Sequence, residues 1–198
     1  MPNGVLLLGA GFARRFGSDK RLATLGDSTV AAKTIAHYVH TFDDVHVVVR
    51  NTDDELKDIV VKEGARHVTT DLAHLGMGHS LVAGMQTLTQ KKLGWLVVGL
   101  LDMPFIRRST LTTLSVKLTE LSSNQACDKR VVRFQHNKSK NAHPIAWHHS
   151  TFDNLLKCNG DQGAKEFLQL YQAQTLWLNT TDDGVFLDID QPQDLPTG

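Results

Sequence analysis

Residues 6–21 read LLLGAGFARRFGSDKR, a run of aliphatic side chains followed directly by a glycine-rich, basic segment. The aliphatic run at 5–8 is short and lies between two glycines, which is typical of a strand buried on both faces of a sheet. In open parallel sheets, ligands bind beyond the carboxyl ends of the strands, where this segment begins. We therefore expect residues 9–20 to form a ligand-binding loop.

The rest of the chain alternates between strand and helix patterns. Strands are predicted at 45–49, 95–101, 131–135 and 144–147, and helices at 29–40, 54–62, 78–89 and 109–121. Residues 152–171 have a helical pattern that the sequence NGDQG interrupts. This alternation predicts an α/β fold with a mostly parallel sheet covered by helices. No linker-like tract divides the chain, so we expect a single domain over residues 1–198.

Composition argues against several classes of protein. Hydrophobic residues make up 41% and charged residues 21% of the 198 positions, which fits a globular domain. Because Lys plus Arg equals Asp plus Glu at 21 each, no overall field attracts nucleic acid or an anionic membrane. No apolar run approaches the roughly 20 residues that span a bilayer, and no signal-peptide pattern begins the sequence. We expect a cytoplasmic protein with neither nucleic-acid nor membrane partners.

Cys127 and Cys158 are isolated, with no CxxC motif. Two separate cysteines of this kind argue against a disulfide framework and against a structural zinc site. We expect both to be inert thiols.

The basic segment does not match the best-known phosphate-binding loops. A dinucleotide fingerprint would need Gly or Ala where Arg14 stands, and a Walker A loop would need Lys and then Ser or Thr after Gly17. Glycines still allow backbone N–H groups to approach an anion closely. With Arg15 and Lys20 five residues apart, the segment suits a polyphosphate.

Acidic residues lie where a metal ion would be needed beside such a ligand. Asp102 directly follows the predicted strand at 95–101, at the same sheet edge as the opening loop. Asp188 and Asp190 alternate with aliphatic residues, so a strand there would place both carboxylates on one face. Carboxylates and substrate phosphates are the ligands that Mg²⁺ prefers. For Asp102 the alternative is a helix N-cap, although Ser109 lies nearer the expected helix start.

The opening segment resembles the signature of the molybdenum cofactor nucleotidyltransferase family, L-A-A/G-G-x-x-x-R-F/M-G-x-x-K. The resemblance implies a Rossmann-like three-layer sandwich with a mostly parallel mixed sheet, of the nucleotide-diphospho-sugar transferase type. It also implies that the loop holds a nucleoside triphosphate. The implied nucleotide-binding residues in this loop are Leu8, Gly9, Ala10, Gly11, Arg15 and Lys20.

Later segments match the same family in the same order. The LLDMP and DIDQPQD segments imply Mg²⁺ ligands at Asp102 and Asp190. The GMGHSL segment is similar to one that lies over the nucleotide base, which adds Gly78 and Ser80 to the implied nucleotide-binding residues. The HPIAW and NGDQGAKEFL segments are similar to those lining the second-substrate cavity, with His143, Asp161 and Gly163 at the matching positions.

The resemblance implies a reaction in which a nucleoside monophosphate is joined to molybdopterin and pyrophosphate is released, before delivery to a recipient molybdoenzyme. Catalysis would rest on positioning and charge neutralisation, with Arg15, Lys20 and Asp102 as catalytic residues. In this family, Ala at the position of Ala10 goes with cytidine nucleotides and Gly with guanosine, so CTP is expected rather than GTP.

Three alternatives stay open. The first is a GTP-dependent guanylyltransferase, and the second is a nucleotidyltransferase of the same fold that acts on a sugar or polyol phosphate. The third is a noncatalytic chaperone that binds the molybdenum cofactor and delivers it. The segment KSKNAHP lacks the glycine that often precedes His-Pro in the family, and this difference favours keeping the third alternative.

Overall fold

A computed structural model describes residues 1–12, 16–88, 91–124, 126–136 and 142–196. The strands in this part of the chain are β1 (Asn3–Leu8), β2 (Thr24–Leu25), β3 (Ser28–Thr29), β4 (Val45–Arg50), β5 (Arg66–Thr70), β6 (Trp95–Leu100), β7 (Val131–Gln135), β8 (Ile145–His148) and β9 (Thr175–Asn179). The helices are α1 (Val30–Val39), α2 (Asp54–Lys62), α3 (Met77–Leu88), α4 (Arg108–Ser123), α5 (Phe152–Leu155) and α6 (Lys165–Leu170).

The described strands form a seven-stranded sheet in the order β5-β4-β1-β6-β8-β7-β9, beside a small hairpin of β2 and β3. Strands β5, β4, β1 and β6 run parallel to one another, and β7 runs parallel to β9. Within the described part of this sheet, only β8 runs antiparallel to its neighbours, β6 and β7. The predicted mixed, mostly parallel sheet is therefore confirmed.

Helices cover both faces of this sheet because successive side chains of a strand point to opposite sides. Leu7 of β1 packs into a core that includes residues of α1, α2 and α4. Leu6 packs into a second core, with residues of α3, α5 and α6. Both side chains are fully buried, which explains why β1 is continuously aliphatic. The result is the predicted three-layer α/β sandwich.

Most predicted helices and strands lie within one or two residues of their observed bounds. The predicted helix at 78–89 begins one residue earlier, at Met77, and is described as far as Leu88. The predicted interruption of the helical pattern at 159–163 is also confirmed, because α5 and α6 are separated there. Gly160 and Gly163 both have φ of +55°, a conformation that glycine adopts readily.

Two strands were not predicted from the sequence, and a third segment was left open. Strand β5 was not predicted because most of its residues are exposed at the sheet edge, and its sequence RHVTT lacks an apolar pattern. Strand β9 at the opposite edge was also not predicted. The segment with Asp188 and Asp190, whose alternating pattern would suit a strand, lies outside every sheet of the described chain and runs as an extended loop.

Among the described residues, no helix combines the length and the apolar character that crossing a bilayer requires. Cys127 is half-buried and Cys158 is buried, and both are free thiols.

Candidate active site

The opening loop leaves the carboxyl end of β1 in the middle of the sheet. Gly9 N–H donates to the Val48 carbonyl (2.9 Å), and a Cβ on Gly9 would overlap the Leu101 side chain. Internal packing therefore explains the glycine at position 9. A Cβ on Gly11, by contrast, would meet no described atom within 4 Å. The described structure therefore gives Gly11 no packing role, and its predicted contact with the nucleotide stays a prediction.

Lys20 lies at the far end of the same loop and faces the carboxylates. Its Nζ is 2.7 Å from Asp102 Oδ2 and 3.0 Å from Asp190 Oδ1. The loop and the two predicted metal ligands therefore converge, as the sequence analysis expected. Arg15, the other predicted triphosphate-binding cation, lies outside the described residues, and its role stays a prediction.

The Asp102 carboxylate is placed by β6, which pairs in parallel with β1. Asp188 and Asp190 reach it because the backbone N–H of Ile189, between them, donates to the Asp102 carbonyl (2.9 Å). Ile189 itself is fully buried in a small apolar cluster that includes Phe16 of the opening loop. One hydrogen bond and one buried side chain thus bring both carboxylates to Asp102 without a strand.

The three aspartates form a group whose carboxylate oxygens lie within 4.8 Å of one another. In the described chain this is the one such group of three or more His, Cys, Asp or Glu side chains. Asp102 Oδ1 is buried and accepts no hydrogen bond from a described residue. An all-oxygen donor set with an unsatisfied buried oxygen fits a hard divalent cation such as Mg²⁺ or Mn²⁺. Asp188 is the member that the predicted ligand pair did not include.

Burial and charge act together in this group. Burial lowers the pKa of Lys20, but the neighbouring carboxylates of Asp102 and Asp190 outweigh it and hold the pKa above its usual value. Burial raises the pKa of Asp102, and the Lys20 ammonium opposes that rise only in part. Three carboxylates and one ammonium have a formal charge of −2, which one divalent cation would neutralise.

The next residue, Arg21, is a structural element that the sequence analysis missed. It is 3% exposed, and its guanidinium donates to the Gly9 carbonyl and to both oxygens of Asp53 (2.6 and 2.9 Å). It also binds Asp19, with Nε donating to Oδ1 at 2.7 Å. Arg21 thereby ties the first residue of the loop to its far end. The sequence marks Arg21 only by its place in the basic segment. No local pattern identifies Asp53 as its partner.

These elements enclose a cavity of about 560 Å³. The predicted nucleotide-binding and metal-binding residues that line it are Leu8, Gly9, Ala10, Gly11, Lys20, Ser80, Asp102 and Asp190. Gly78 is placed differently: its N–H donates to the Gly160 carbonyl (2.8 Å), and a Cβ there would lie 2.6 Å from the Asn159 backbone. The structure thus gives Gly78 a packing role, and its predicted contact with the nucleotide stays a prediction.

A second cavity of about 840 Å³ adjoins the first. It is lined by all three predicted second-substrate residues, His143, Asp161 and Gly163. Leu8, Met77 and Asp161 line both cavities, so the two share a wall. Ligands in the two cavities would therefore be neighbours.

His143 belongs to the inner part of the second cavity. Burial, and to a lesser extent the nearby Arg133 guanidinium, lowers the pKa of His143 to about 4, so the imidazole is neutral at pH 7. Its Nδ1 is buried and has no hydrogen-bond partner among the described residues.

Solved structures share this architecture from end to end. Rv0371c from Mycobacterium tuberculosis H37Rv superposes with a TM-score of 0.77 at 19% identity, covering 98% of this chain and 95% of its own; that protein has also been crystallised in complex with manganese. A cytidylyltransferase from Leptospira borgpetersenii gives a TM-score of 0.73 at 17% identity, over 98% and 83% of the two chains. Molybdopterin-guanine dinucleotide biosynthesis protein A from Archaeoglobus fulgidus gives 0.63 at 18% identity, over 96% and 94%.

At these identities the structural matches establish the fold, which is the predicted nucleotidyltransferase type. No curated protein sequence matches the chain significantly. The family described as the MobA-like NTP transferase domain, however, matches residues 5–176, which include the opening loop, Asp102 and every lining residue of the second cavity except Trp177. With most of its length matched and a glycine loop facing a carboxylate cluster, the chain belongs to the MobA-like NTP transferase family.

Proposed function

We propose that the protein transfers CMP from CTP to the phosphate of molybdopterin and releases pyrophosphate, with Mg²⁺ bound by the aspartate cluster. The observation that carries this proposal is the contact of Lys20 with Asp102 and Asp190 at the mouth of the glycine loop. This contact brings together, in one cavity, an ammonium group that can bind phosphates and carboxylates that can bind a metal ion. Nucleotidyl transfer requires both.

The donor triphosphate would lie along the opening loop. No described residue accepts a hydrogen bond from the backbone N–H groups of Ala10, Gly11 or Phe12, which leaves these donors for phosphate oxygens. Lys20, held by two carboxylates, would supply a fixed positive charge to the triphosphate. Because Arg21 holds the carbonyl of Gly9, the donors that directly follow would be preorganised before the nucleotide binds.

Asp102, Asp188 and Asp190 would hold the magnesium ion, with substrate oxygens completing its coordination. When bound, the ion supplies positive charge at the triphosphate and so favours the departure of pyrophosphate. The crystallisation of Rv0371c with manganese supports a divalent metal in a protein of this fold.

In the reaction itself, a phosphate oxygen of the acceptor attacks the α-phosphorus, and the bond from this phosphorus to the pyrophosphate oxygen breaks. The shared wall of the two cavities supports such a direct transfer, because it would hold acceptor and donor side by side. Neutral His143 and the other residues of the second cavity would bind and orient the acceptor.

The choice of CTP rests on Ala10, which lines the first cavity and is 1% exposed. The fold match to a cytidylyltransferase supports the same choice. The match to a protein named for molybdopterin-guanine dinucleotide synthesis supports a pterin acceptor, although its named nucleotide is a guanine one.

The test measures pyrophosphate release by the purified protein with Mg²⁺, molybdopterin and either CTP or GTP. We expect release with CTP and little with GTP, and we expect Asp102→Asn to lower kcat by about two orders of magnitude or more, as for loss of a charge-stabilising group. The matched control is Asp183→Asn, which changes an exposed aspartate outside both cavities.

Each alternative has its own outcome. Turnover with GTP in place of CTP would reject the argument from Ala10. Turnover only with a sugar or polyol phosphate would reject the pterin acceptor. If no nucleotide is consumed, but cofactor is delivered to a molybdoenzyme equally well by wild type and Asp102→Asn, the chaperone alternative replaces the enzyme.

A further inference from the structure

The second cavity has two chemically different parts. Its inner surface is formed on the sheet and is largely apolar, with Val98, Ile145 and Trp147 among its residues. Its outer rim comes from α6 and the adjoining turns, where Gln162, Lys165, Glu166, Gln169 and Gln172 are exposed. A ligand that fills this cavity would therefore place an apolar body against the sheet.

One charged side chain, Arg133 of β7, interrupts the apolar inner surface. Val132 and Phe134, on either side of it, point into the core on the opposite face of the sheet, so Arg133 points toward the cavity. Strands β7 and β9 pair in parallel with Arg133 opposite Trp177. The guanidinium carbon lies 4.9 Å from the centroid of the Trp177 ring, and this stacking limits where the charge can go.

The charge on Arg133 is held in a partly desolvated place. Burial lowers the pKa of Arg133, which means that its surroundings disfavour the cation relative to water. An arginine nevertheless stays protonated in proteins. The carboxylates that line this cavity, Asp161 and Glu166, lie among the exposed residues. The cavity thus has a fixed positive charge inside and mixed charges outside.

The cavity that holds this positive charge adjoins the cavity that holds the aspartate cluster. Leu8, Met77 and Asp161 line both cavities, whereas Arg133 lines the second and the aspartates line the first. An anionic group bound at Arg133 would therefore lie in the cavity next to the proposed nucleotide site.

We propose that Arg133 binds an oxyanion group of the acceptor, phosphate or carboxylate, in the second cavity, while the apolar surface around it holds the acceptor's apolar body. The inference rests on the proposed function for the reaction in which this acceptor takes part. The guanidinium suits either oxyanion because its planar fork of N–H donors matches both.

The binding test uses simple probes and needs no turnover. Phenyl phosphate, benzoate and the uncharged benzyl alcohol are titrated calorimetrically into wild type, Arg133→Gln, Arg133→Lys and the control Arg130→Gln. Arg130 stands three residues before Arg133, is also half-buried, and does not line the cavity. Thermal unfolding of each variant checks that it is folded. If Arg133→Gln fails to fold, Arg133→Lys still tests the site, because it keeps the positive charge but removes the planar fork of N–H donors.

We expect wild type to bind phenyl phosphate, benzoate or both more tightly than benzyl alcohol. The Kd for the preferred anion should rise about 10-fold or more in Arg133→Gln, as for loss of a hydrogen bond to a charged group, and less in Arg133→Lys. Benzyl alcohol binding should not change, and Arg130→Gln should behave as wild type. Which anion is preferred identifies the oxyanion. No preference for either anion, or a preference that persists in Arg133→Gln, would overturn the inference.

A kinetic arm separates this inference from the proposed function. If molybdopterin is the acceptor, Arg133→Gln should raise the KM for molybdopterin while the KM for CTP stays within about two-fold. If wild type releases no pyrophosphate from molybdopterin but the probes still bind through Arg133, the acceptor in the proposed function is wrong and the anion site stands. If turnover occurs and both KM values are unchanged in Arg133→Gln, the anion site is wrong and the proposed function stands.

Discussion

Arg21 shows how a single buried charge organises the candidate active site. Its guanidinium is 3% exposed and is surrounded by the carboxylates of Asp19 and Asp53 and the carbonyl of Gly9. Arg50 also binds Asp53 (Nε to Oδ1, 2.9 Å). A buried charge is tolerated only when it is well paired, so this group of four charged side chains acts as a unit. Through Arg21, this group links Gly9 at the start of the opening loop to Asp19 near its far end.

The carboxylate of Asp53 makes stability depend on pH. Burial alone would raise the pKa of Asp53, but hydrogen bonds from Arg21 and Arg50 lower the pKa to about 2, against an ordinary value of 3.8. A lowered pKa stabilises the folded protein above pH 3.8, and this contribution is lost as the pH falls from 3.8 toward 2. Removing Asp53 should therefore flatten the acid side of the stability profile.

The measurement is urea unfolding between pH 5 and pH 2 for wild type and Asp53→Asn. The loss of unfolding free energy over this range should be smaller in the variant, by on the order of 1–2 kcal/mol. Asp54→Asn, which removes a neighbouring exposed carboxylate, is the matched control. If the loss of unfolding free energy between pH 5 and pH 2 were reduced equally in both variants, the effect could not be assigned to Asp53 and its arginine partners.

At the scale of elements, the start of α3 and the turn between α5 and α6 are packed backbone against backbone. Gly76 and Gly78 both lie so close to residues 159–161 that a Cβ on either would overlap the turn. Because Asp161 in this turn lines both cavities, the contact sets the wall between them. The two glycines of the GMG segment therefore act through packing with a distant turn.

Two glycine substitutions should separate packing from ligand binding. Gly78→Ala should lower the free energy of unfolding by about 1–3 kcal/mol, since the added methyl group would overpack against the turn. Gly11→Ala should leave stability within about 0.5 kcal/mol of wild type, because its methyl group would enter open space, but it should weaken nucleotide binding. Chemical denaturation and CTP titration measure the two effects. Normal nucleotide affinity in Gly11→Ala would contradict a triphosphate at this loop.

At the scale of the whole molecule, the candidate site joins segments from both ends of the chain. Lys20 and Asp190 are 170 residues apart in sequence, yet their side chains are hydrogen-bonded. A ligand held by both would bind only the folded protein, so it would stabilise the entire fold by mass action.

CTP with Mg²⁺ should therefore raise Tm. At a nucleotide concentration of about 100 times Kd, the expected stabilisation is about 2.7 kcal/mol, or roughly 5–10 °C for a protein of this size. Differential scanning fluorimetry measures the shift, with EDTA to remove the metal and GTP as the comparison nucleotide. EDTA should remove most of the shift. A shift of the same size without any divalent metal would argue against the aspartate cluster as part of the nucleotide site.

The sequence predicted the central strands, most helices and the position of the glycine loop, because these depend on short-range patterns of apolar residues and glycines. It also predicted that Lys20 and Asp102 meet, since both follow strands of one parallel sheet. It missed β5 because an exposed edge strand needs no apolar pattern. It left open whether Asp188 and Asp190 lie on a strand, because alternation alone does not distinguish a strand from an extended loop.

What the sequence by itself determined is the layered fold, the ligand-binding edge of its sheet and the family, because each is encoded in local patterns. Only the tertiary structure decided that Asp188 completes the carboxylate group, that Arg21 is paired with Asp53, and that Arg133 lies inside the second cavity. The physical reason is that each of these depends on which distant side chain a charged group meets once the chain has folded. No local pattern specifies such a partner.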